Sequence, residues 1–423
     1  MKRLALHWQM LIAIVLGGMV GLLLNRLSLP ADHGLMVTLK LLGQIFMNGL
    51  KLIVIPLVVS SIIVSICNIG DEIGRMGGNT LAYYIGSLVA AIAAGVLCVN
   101  LIQPGIYQGQ PLHDIIPLPA DTATALAKVQ DKSLGDAADV FLSLVPSNLF
   151  GAAVDGNMLG LILFSLLYGF FLGRLPSDLR EPQLKLWTGL QSIMISITQL
   201  VLRLAPAGVF ALIATTLAGT GFEVLKPMLW FFFTVVLALS LHMLFSISLF
   251  LRYVIRVSPW RHLQAMAPAL LTAFSTASSN ATLPVTMRAL KERAGVSERV
   301  ANMSAPLGAS MNMDGTALYE CAAALFLAQA YGLDLSLGQQ LTVVLIALLT
   351  GFGMSGIPAA SLVAIAVILA AIGLPLEAIG LLLITDRLLD MFRTMVNVYS
   401  DSIAAVFVAK QEGEALEALQ SRK

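Results

Sequence analysis

Five polar residues near the end of the chain, Asp386, Asp390, Arg393, Asn397 and Asp401, are spaced i, i+4, i+7, i+11 and i+15 inside an otherwise apolar stretch. A helix turns ~100° per residue, so all five fall within about one quarter of its circumference. A charge at the centre of a bilayer costs about 2.5–3.5 kcal/mol on insertion scales, and acids or bases kept there mark a substrate or ion path. The stripe therefore faces a cavity or another helix, and it suits a small ligand carrying both signs of charge. Arg393 offers a planar fork matched to a carboxylate, with Asp390 almost directly beneath it on the same face.

Three other segments carry chemistry. Asn312-Met313-Asp314-Gly315-Thr316 interrupts an apolar run. Asn, Asp and Gly favour unwinding, and unwound backbone frees the hard carbonyl oxygens that a small cation coordinates. Ser275-Thr276-Ala277-Ser278-Ser279-Asn280 is small and polar, able to aim hydroxyls and free N–H groups at an anion. Gly351-Phe352-Gly353-Met354-Ser355-Gly356-Ile357-Pro358 is rich in helix breakers. Glu320, six residues past Asp314, is a further acid whose charged form burial and like-charge neighbours disfavour. Asp314, Glu320, Asp386, Asp390 and Asp401 oppose only Arg387 and Arg393, so a site built from them is net negative. It holds an anionic ligand only if cations or protons enter as well, which implies coupled symport.

The elements that position these residues read as an all-α membrane protein. The chain has 423 residues, 58% hydrophobic and only 12% charged, which excludes an ordinary soluble domain. Spans are expected near 8–25, 38–67, 80–102, 142–173, 186–218 and 227–255. The first follows Lys2 and Arg3 but has no small-residue cleavage site, so it reads as a retained helix. Segment 103–141 holds Asp114, Asp121, Asp131 and Asp136 and reads as external, whereas Arg174, Arg180 and Lys185 mark a cytoplasmic loop. That places the N-terminus inside. Both flanks of 263–287 are basic, with Arg252, Arg256 and Arg261 before it and Arg288, Lys291, Arg293 and Arg299 after it. About 25 residues make one span, which cannot return to its own side, so a re-entrant hairpin is expected there. An interrupted span at 296–330, a second hairpin at 340–373 and a last span at 378–408 follow. The fold expected is eight transmembrane helices plus two re-entrant hairpins, arranged as inverted repeats. Cys67, Cys98 and Cys321 sit in apolar runs and form neither a disulfide framework nor a metal quartet. Net charge is +1 without a basic patch, so no nucleic-acid partner is expected.

Taken together, Asn312–Thr316, the pattern Asp386, Asp390, Arg393-Thr394, Asn397, Asp401, the serine tip followed by Thr282-Leu283-Pro284, and Gly356-Ile357-Pro358 resemble the glutamate transporter family, the dicarboxylate/amino acid:cation symporters. The resemblance runs from the first span to the end. It implies a prokaryotic glutamate/aspartate symporter in the bacterial or archaeal inner membrane, both termini cytoplasmic, working as a homotrimer in lipid by an elevator mechanism. It implies a scaffold of 1–79 and 142–225, a transport domain of 80–102 and 226–408, an external loop of 103–141 and a cytoplasmic tail of 409–423. Arg393 would take the substrate's side-chain carboxylate and Asp390 its ammonium, with Ser278, Ser279, Met313, Thr316, Ile357, Thr394 and Asn397 holding the remainder. Asp401 with carbonyls of Gly308, Asn312 and Asn397 resembles one sodium site, and Asp314 and Asn312 with Tyr84 and Ser87 another. Carbonyls at 351–354 with Ser310 resemble a third, and Glu320 stands where some relatives carry a proton. No cofactor is implied beyond Na⁺ and/or H⁺ as coupling ions. Two departures stand out. Where relatives supply an extra arginine this chain has Ala277 and Met391, and Leu88 replaces a hydroxyl near Asp314.

Alternatives remain at this point. A C4-dicarboxylate:cation symporter of the same fold is the nearest, and Asp390 speaks against it, because a second carboxylate has no use for an acid in that place. An intramembrane serine protease would use Gly353-Met354-Ser355-Gly356, but it needs a histidine within reach of the serine, and only His242 lies deep in a span. A passive channel is the last.

Overall fold

The computed structural model describes residues 6–28, 30, 32–72, 75–115, 145–154, 158–353 and 360–420. Three helices open the chain, α1 (Leu6–Arg26), α2 (Gly34–Glu72) and α3 (Arg75–Ile102), and they contain the expected spans 8–25, 38–67 and 80–102. A two-stranded antiparallel hairpin, β1 (Ile106–Tyr107) and β2 (Gln110–Pro111), and one helical turn, α4 (Leu112–Ile115), start the loop expected at 103–141. The rest of that loop, 116–144, lies outside the described residues. The span expected at 142–173 arrives as α5 (Leu149–Val154) and α6 (Met158–Leu172). Next, α7 (Ser177–Thr220) begins nine residues before the expected 186. Its polar start is mostly exposed. Hydropathy marks where a helix enters an apolar medium, not where the helix begins.

α8 (Leu225–Leu241) continues through a π-type turn at His242–Ser246, a short α segment and a second π-type turn at Leu251–Ile255. A π turn inserts one residue and shifts the face that follows; such turns recur at functional sites. Ser248 Oγ donates to Met243 O at 2.8 Å, five residues back. The path stops at Arg256, in the left-handed region with φ 62.

The first hairpin is α9 (Pro259–Thr276) and α10 (Ser279–Glu292). Each helix starts on a serine cap. Ser258 Oγ accepts from Arg261 N, and Ser278 Oγ accepts from Ala281 N. The irregular tip is narrower than 275–280. Ser275 and Thr276 return their hydroxyls to Leu271 O and Thr272 O at 2.8 and 2.9 Å, so only Ala277 and Ser278 turn the chain. Thr276 Oγ1 and Thr282 Oγ1 meet across the tip at 3.3 Å, and Arg293 Nη1 donates to Ala265 O at the base at 3.5 Å.

The interrupted helix follows as α11 (Glu298–Met311) and α12 (Asp314–Ala330), broken only at Asn312 and Met313. α13 (Leu337–Gly353) and α14 (Ala360–Ile372) flank the second tip, whose residues 354–359 lie outside the described ones, Met354, Ser355 and Ile357 among them. α15 (Ile379–Gln411) carries the charged stripe. The tail is not loose at its start. Leu416 and Leu419 are buried, Ser258 N donates to Leu419 O at 2.9 Å, and Ser297 N donates to Glu414 Oε2 at 2.9 Å, so 414–420 closes the base of the first hairpin.

Packing gathers these elements around two centres, with α13 and α14 also touching α2 and α15 touching α7. α1 and α2 lie along α7, and α2 also packs on α6. α3 packs on α12, α8 on α3 and α15, and α9 to α14 gather around α12 and α15. α12 is buried nearly all round, with Ala322, Ala323 and Ala324 fully enclosed, as expected of a helix without a polar face. Two glycines let α15 approach: a Cβ on Gly315 would stand 2.6 Å from Arg393 O, and one on Gly308 2.7 Å from the Asp401 carboxylate. Among the described residues, Trp8–Arg26, Gly78–Ile102 and Arg203–Ile255 are helical runs long and apolar enough to cross a membrane by themselves. α12 has 17 residues and α15 carries the charges.

Candidate functional site

α15 brings two polar clusters to its buried face. The first surrounds Arg393. Its Nη2 donates to Asp386 Oδ1 at 3.1 Å and to Asp390 Oδ1 at 3.0 Å. Arg387 Nη1 donates to Asp390 Oδ2 at 3.2 Å. The Arg393 guanidinium carbon lies 3.9 Å from the centroid of the Tyr319 ring, a cation–π contact strengthened by burial. Its Nε and Nη1 have no hydrogen-bond partner among the described residues, and the side chain is 1% exposed. A guanidinium with free donors and no access to bulk water presents an anion-binding edge. Phe392 meets Phe274 of α9 with ring centroids 5.1 Å apart, so the last turn of the first hairpin's leading helix stands beside this cluster.

Asn397 links α15 to the interrupted helix. It accepts from Gly315 N at 2.7 Å and donates to Thr316 Oγ1 at 3.1 Å and to Met313 Sδ at 3.4 Å. Thr394 instead donates to Asp390 O, four residues back, at 2.8 Å. Ser279 is buried and Ser278 half-buried.

The second cluster gathers oxygens. Asn312 Nδ2 donates to Asp401 Oδ1 and Ser400 Oγ, both at 3.0 Å. Ser87 donates to Asp314 Oδ2 and lies 3.0 Å from Ser400 Oγ. Tyr84 donates to Ser304 O at 3.1 Å. Asn312 Oδ1 and Asp314 Oδ1 accept from nothing among the described residues, although both are buried. Buried hard oxygens lacking donors, next to an unwound turn, suit a small dehydrated cation. Of the residues expected in the third ion site, Ser310 returns its hydroxyl to Pro306 O at 2.9 Å. Glu320 hydrogen-bonds to neither cluster among the described residues. It is fully buried, its Oε2 accepts from Thr350 Oγ1 of α13 at 2.7 Å, and its Oε1 has no hydrogen-bond partner among the described residues.

The structure adds residues that sequence reasoning did not place. His242 Nε2 lies 3.2 Å from Asp314 Oδ2, with both side chains 0% exposed. A lone histidine inside an apolar span is itself a signal, but its partner is 72 residues away. Tyr83 OH lies 3.1 Å from Ser400 Oγ. Ser400, Tyr319 and Thr350 give no such signal, because they are ordinary residues until packing places them.

The profile of the sodium:dicarboxylate symporter family matches residues 6–411. The chain is 36% identical over 415 residues to a proton/glutamate-aspartate symporter of Escherichia coli (strain K12), covering 97% of this chain and 93% of that one. It is 33% identical over 416 residues to a proton/sodium-glutamate symport protein of Bacillus caldotenax, covering 98% and 96%. The human excitatory amino acid transporter 3 is 31% identical over 452 aligned positions, covering 96% and 85%. These relatives are named as symporters and transporters, not as hydrolases.

Replacing His242 with leucine removes one of the two side-chain partners of Asp314 Oδ2 and should cost about 1–3 kcal/mol of stability. Thermal unfolding of the purified protein should show a lower midpoint. An unchanged midpoint would mean that the contact carries no weight.

Proposed function

The chain belongs to the sodium:dicarboxylate symporter family, and on that premise we propose that it imports L-glutamate or L-aspartate by cation-coupled symport. The observation that carries the reading is Arg393, a fully buried guanidinium with two unused donors, set one helical turn from Asp390. The donor edge fits the side-chain carboxylate of an acidic amino acid, and Asp390 fits its ammonium. Met313, Thr316, Thr394, Asn397, the Ser278-Ser279 turn and Ile357 line the remainder. The relatives' names, proton/glutamate-aspartate and proton/sodium-glutamate, support the same substrate class and the same choice of ions.

Coupling follows from charge. A substrate of net charge −1 enters beside four charges that balance one another and three further acids, Asp314, Glu320 and Asp401, so a cation or a proton must enter with it. Asp401 with Gly308, Asn312 and Asn397 forms one ion position in this reading, and Asp314 with Asn312, Tyr84 and Ser87 another. Ser310 with the carbonyls at 351–354 is the third. Glu320 handles the proton: a buried carboxylate with no ion pair among the described residues is costly, and a proton removes that cost.

The two packing groups support the proposed division of labour. α1, α2, α6 and α7 act as scaffold in the inner membrane, while α3, α8 and α9 to α15 move together as the transport domain, with the two hairpins entering the bilayer from opposite sides. Exposed apolar side chains such as Leu41 and Leu52 on α2 and Leu200 and Leu204 on α7 supply surface for lipid and for a homotrimer contact. Both termini lie on the cytoplasmic side in this arrangement.

Arg393→Cys should abolish binding of acidic amino acids and open the site to small neutral ones. Losing a charge-assisted, desolvated pair costs about 2–5 kcal/mol, or a loss of affinity of at least about thirtyfold. Calorimetric titration of the purified variant with aspartate checks this, and wild-type affinity would contradict the assignment. Glu320→Gln mimics the protonated acid permanently. Exchange of internal for external substrate should survive, and net uptake driven by a proton gradient should fall by about tenfold or more. A variant with full proton-driven uptake reduces Glu320 to a structural acid.

A further inference from the structure

Arg387 has no role in the reading above, yet it completes the charge set around Asp390. Both oxygens of Asp390 are engaged: Oδ1 accepts from Arg393 Nη2 at 3.0 Å, and Oδ2 accepts from Arg387 Nη1 at 3.2 Å. Asp386 Oδ1 takes a second bond from Arg393 Nη2 at 3.1 Å. Two carboxylates and two guanidinia thus form a closed, neutral group of four. The free valences are all on the cationic side: Arg393 Nε and Nη1 and Arg387 Nε have no hydrogen-bond partner among the described residues. An arriving carboxylate therefore finds donors waiting, whereas an arriving ammonium finds its acid already covered.

We propose that Arg387 is a tethered stand-in for the substrate's ammonium group: it neutralises Asp390 while the site is empty and yields Asp390 Oδ2 when an amino acid binds. This rests on the reading of Asp390 as the ammonium site. The two arginines are not equally free to yield. Arg393 has a side chain 1% exposed, held by two acids and stacked on Tyr319. Arg387 has one ion-pair partner among the described residues and a side chain 11% exposed. It sits three residues from Asp390 on the same helix, so side-chain rotation alone can break or remake the contact. Once displaced, its guanidinium stands beside the bound ligand, whose second carboxylate is the charge still lacking a partner.

The consequence concerns the return half of the cycle. A carrier that has released its substrate must bring an empty site back through the bilayer, and an unpaired buried carboxylate makes that passage costly. With Arg387 in place, the four-charge group is neutral without substrate or ion. The loaded carrier has no such need, because the ammonium occupies the same oxygen. Arg387 therefore acts on the empty carrier and leaves the loaded one nearly unaffected.

The test compares two fluxes in proteoliposomes of full-length protein. Exchange of external labelled aspartate for internal unlabelled aspartate uses only the loaded carrier. Net uptake into aspartate-free vesicles also requires the empty carrier to return. In Arg387→Gln the ratio of net uptake to exchange should fall at least about tenfold below wild type, since a half-paired buried carboxylate costs more than a tenfold change in rate requires. Arg387→Lys, which keeps the charge and is the milder change for folding, should hold the ratio within about threefold of wild type, a difference smaller than the loss of the ion pair. A Gln variant in which both fluxes fall in parallel overturns the proposal, as does a Lys variant with a collapsed ratio. Wild-type vesicles that exchange no acidic amino acid overturn the underlying functional reading instead, and the stand-in with it.

Discussion

A charge removed from water must find an opposite charge, and in this protein that demand falls on about two turns of one helix. Arg393 is enclosed with Asp386, Asp390 and Arg387, and the surrounding elements are arranged to keep that group dry and fixed. The ring of Tyr319 closes one face of the guanidinium. Gly315 lets the start of α12 touch the backbone of Arg393, where any side chain would collide. Asn397 then fastens the same junction by accepting from Gly315 N. A single misfit here leaves a buried charge unpaired, which is among the few changes that destabilise a fold by several kcal/mol.

The break at Asn312 and Met313 belongs to the same design. Breaking the helix there turns the Asn312 side chain toward Asp401 and Ser400, and starts α12 with Asp314 against Ser87 and His242. The arginine cluster and the oxygen cluster are thus joined by one short stretch of backbone and by Asn397. A ligand that rearranges the first cluster acts on the groups that hold the second. In the proposed symport this junction is the short physical route between substrate and ion.

The charged stripe was legible in the sequence because helical periodicity and the cost of intramembrane charge both act on residues close in the chain. Asn312–Thr316 was legible for the same reason, as a local conflict between helix propensity and an apolar setting. Charge flanks and length pointed to a chain reversal within 263–287, and two helices meet there at Ala277 and Ser278, a tighter tip because Ser275 and Thr276 bond back to their own helix. The contacts of His242, Arg387 and Thr350 were not legible. His242–Asp314 spans 72 residues and Glu320–Thr350 spans 30, and nothing local distinguishes the chosen partner. Arg387–Asp390 is local, yet an arginine at that spacing reads equally as a solvated side chain until burial is known. The early start of α7 escaped because the polar residues there obey helix rules without obeying membrane rules.

The central claim is that the enclosed arginine cluster and the oxygen cluster act as one cation-coupled site for an acidic amino acid. The most direct measurement is uptake of labelled aspartate into proteoliposomes, with Na⁺ and pH gradients imposed separately. The account predicts accumulation above the external concentration under at least one of these gradients, abolished when that gradient is collapsed by an ionophore. Equilibration without accumulation under both gradients would contradict it.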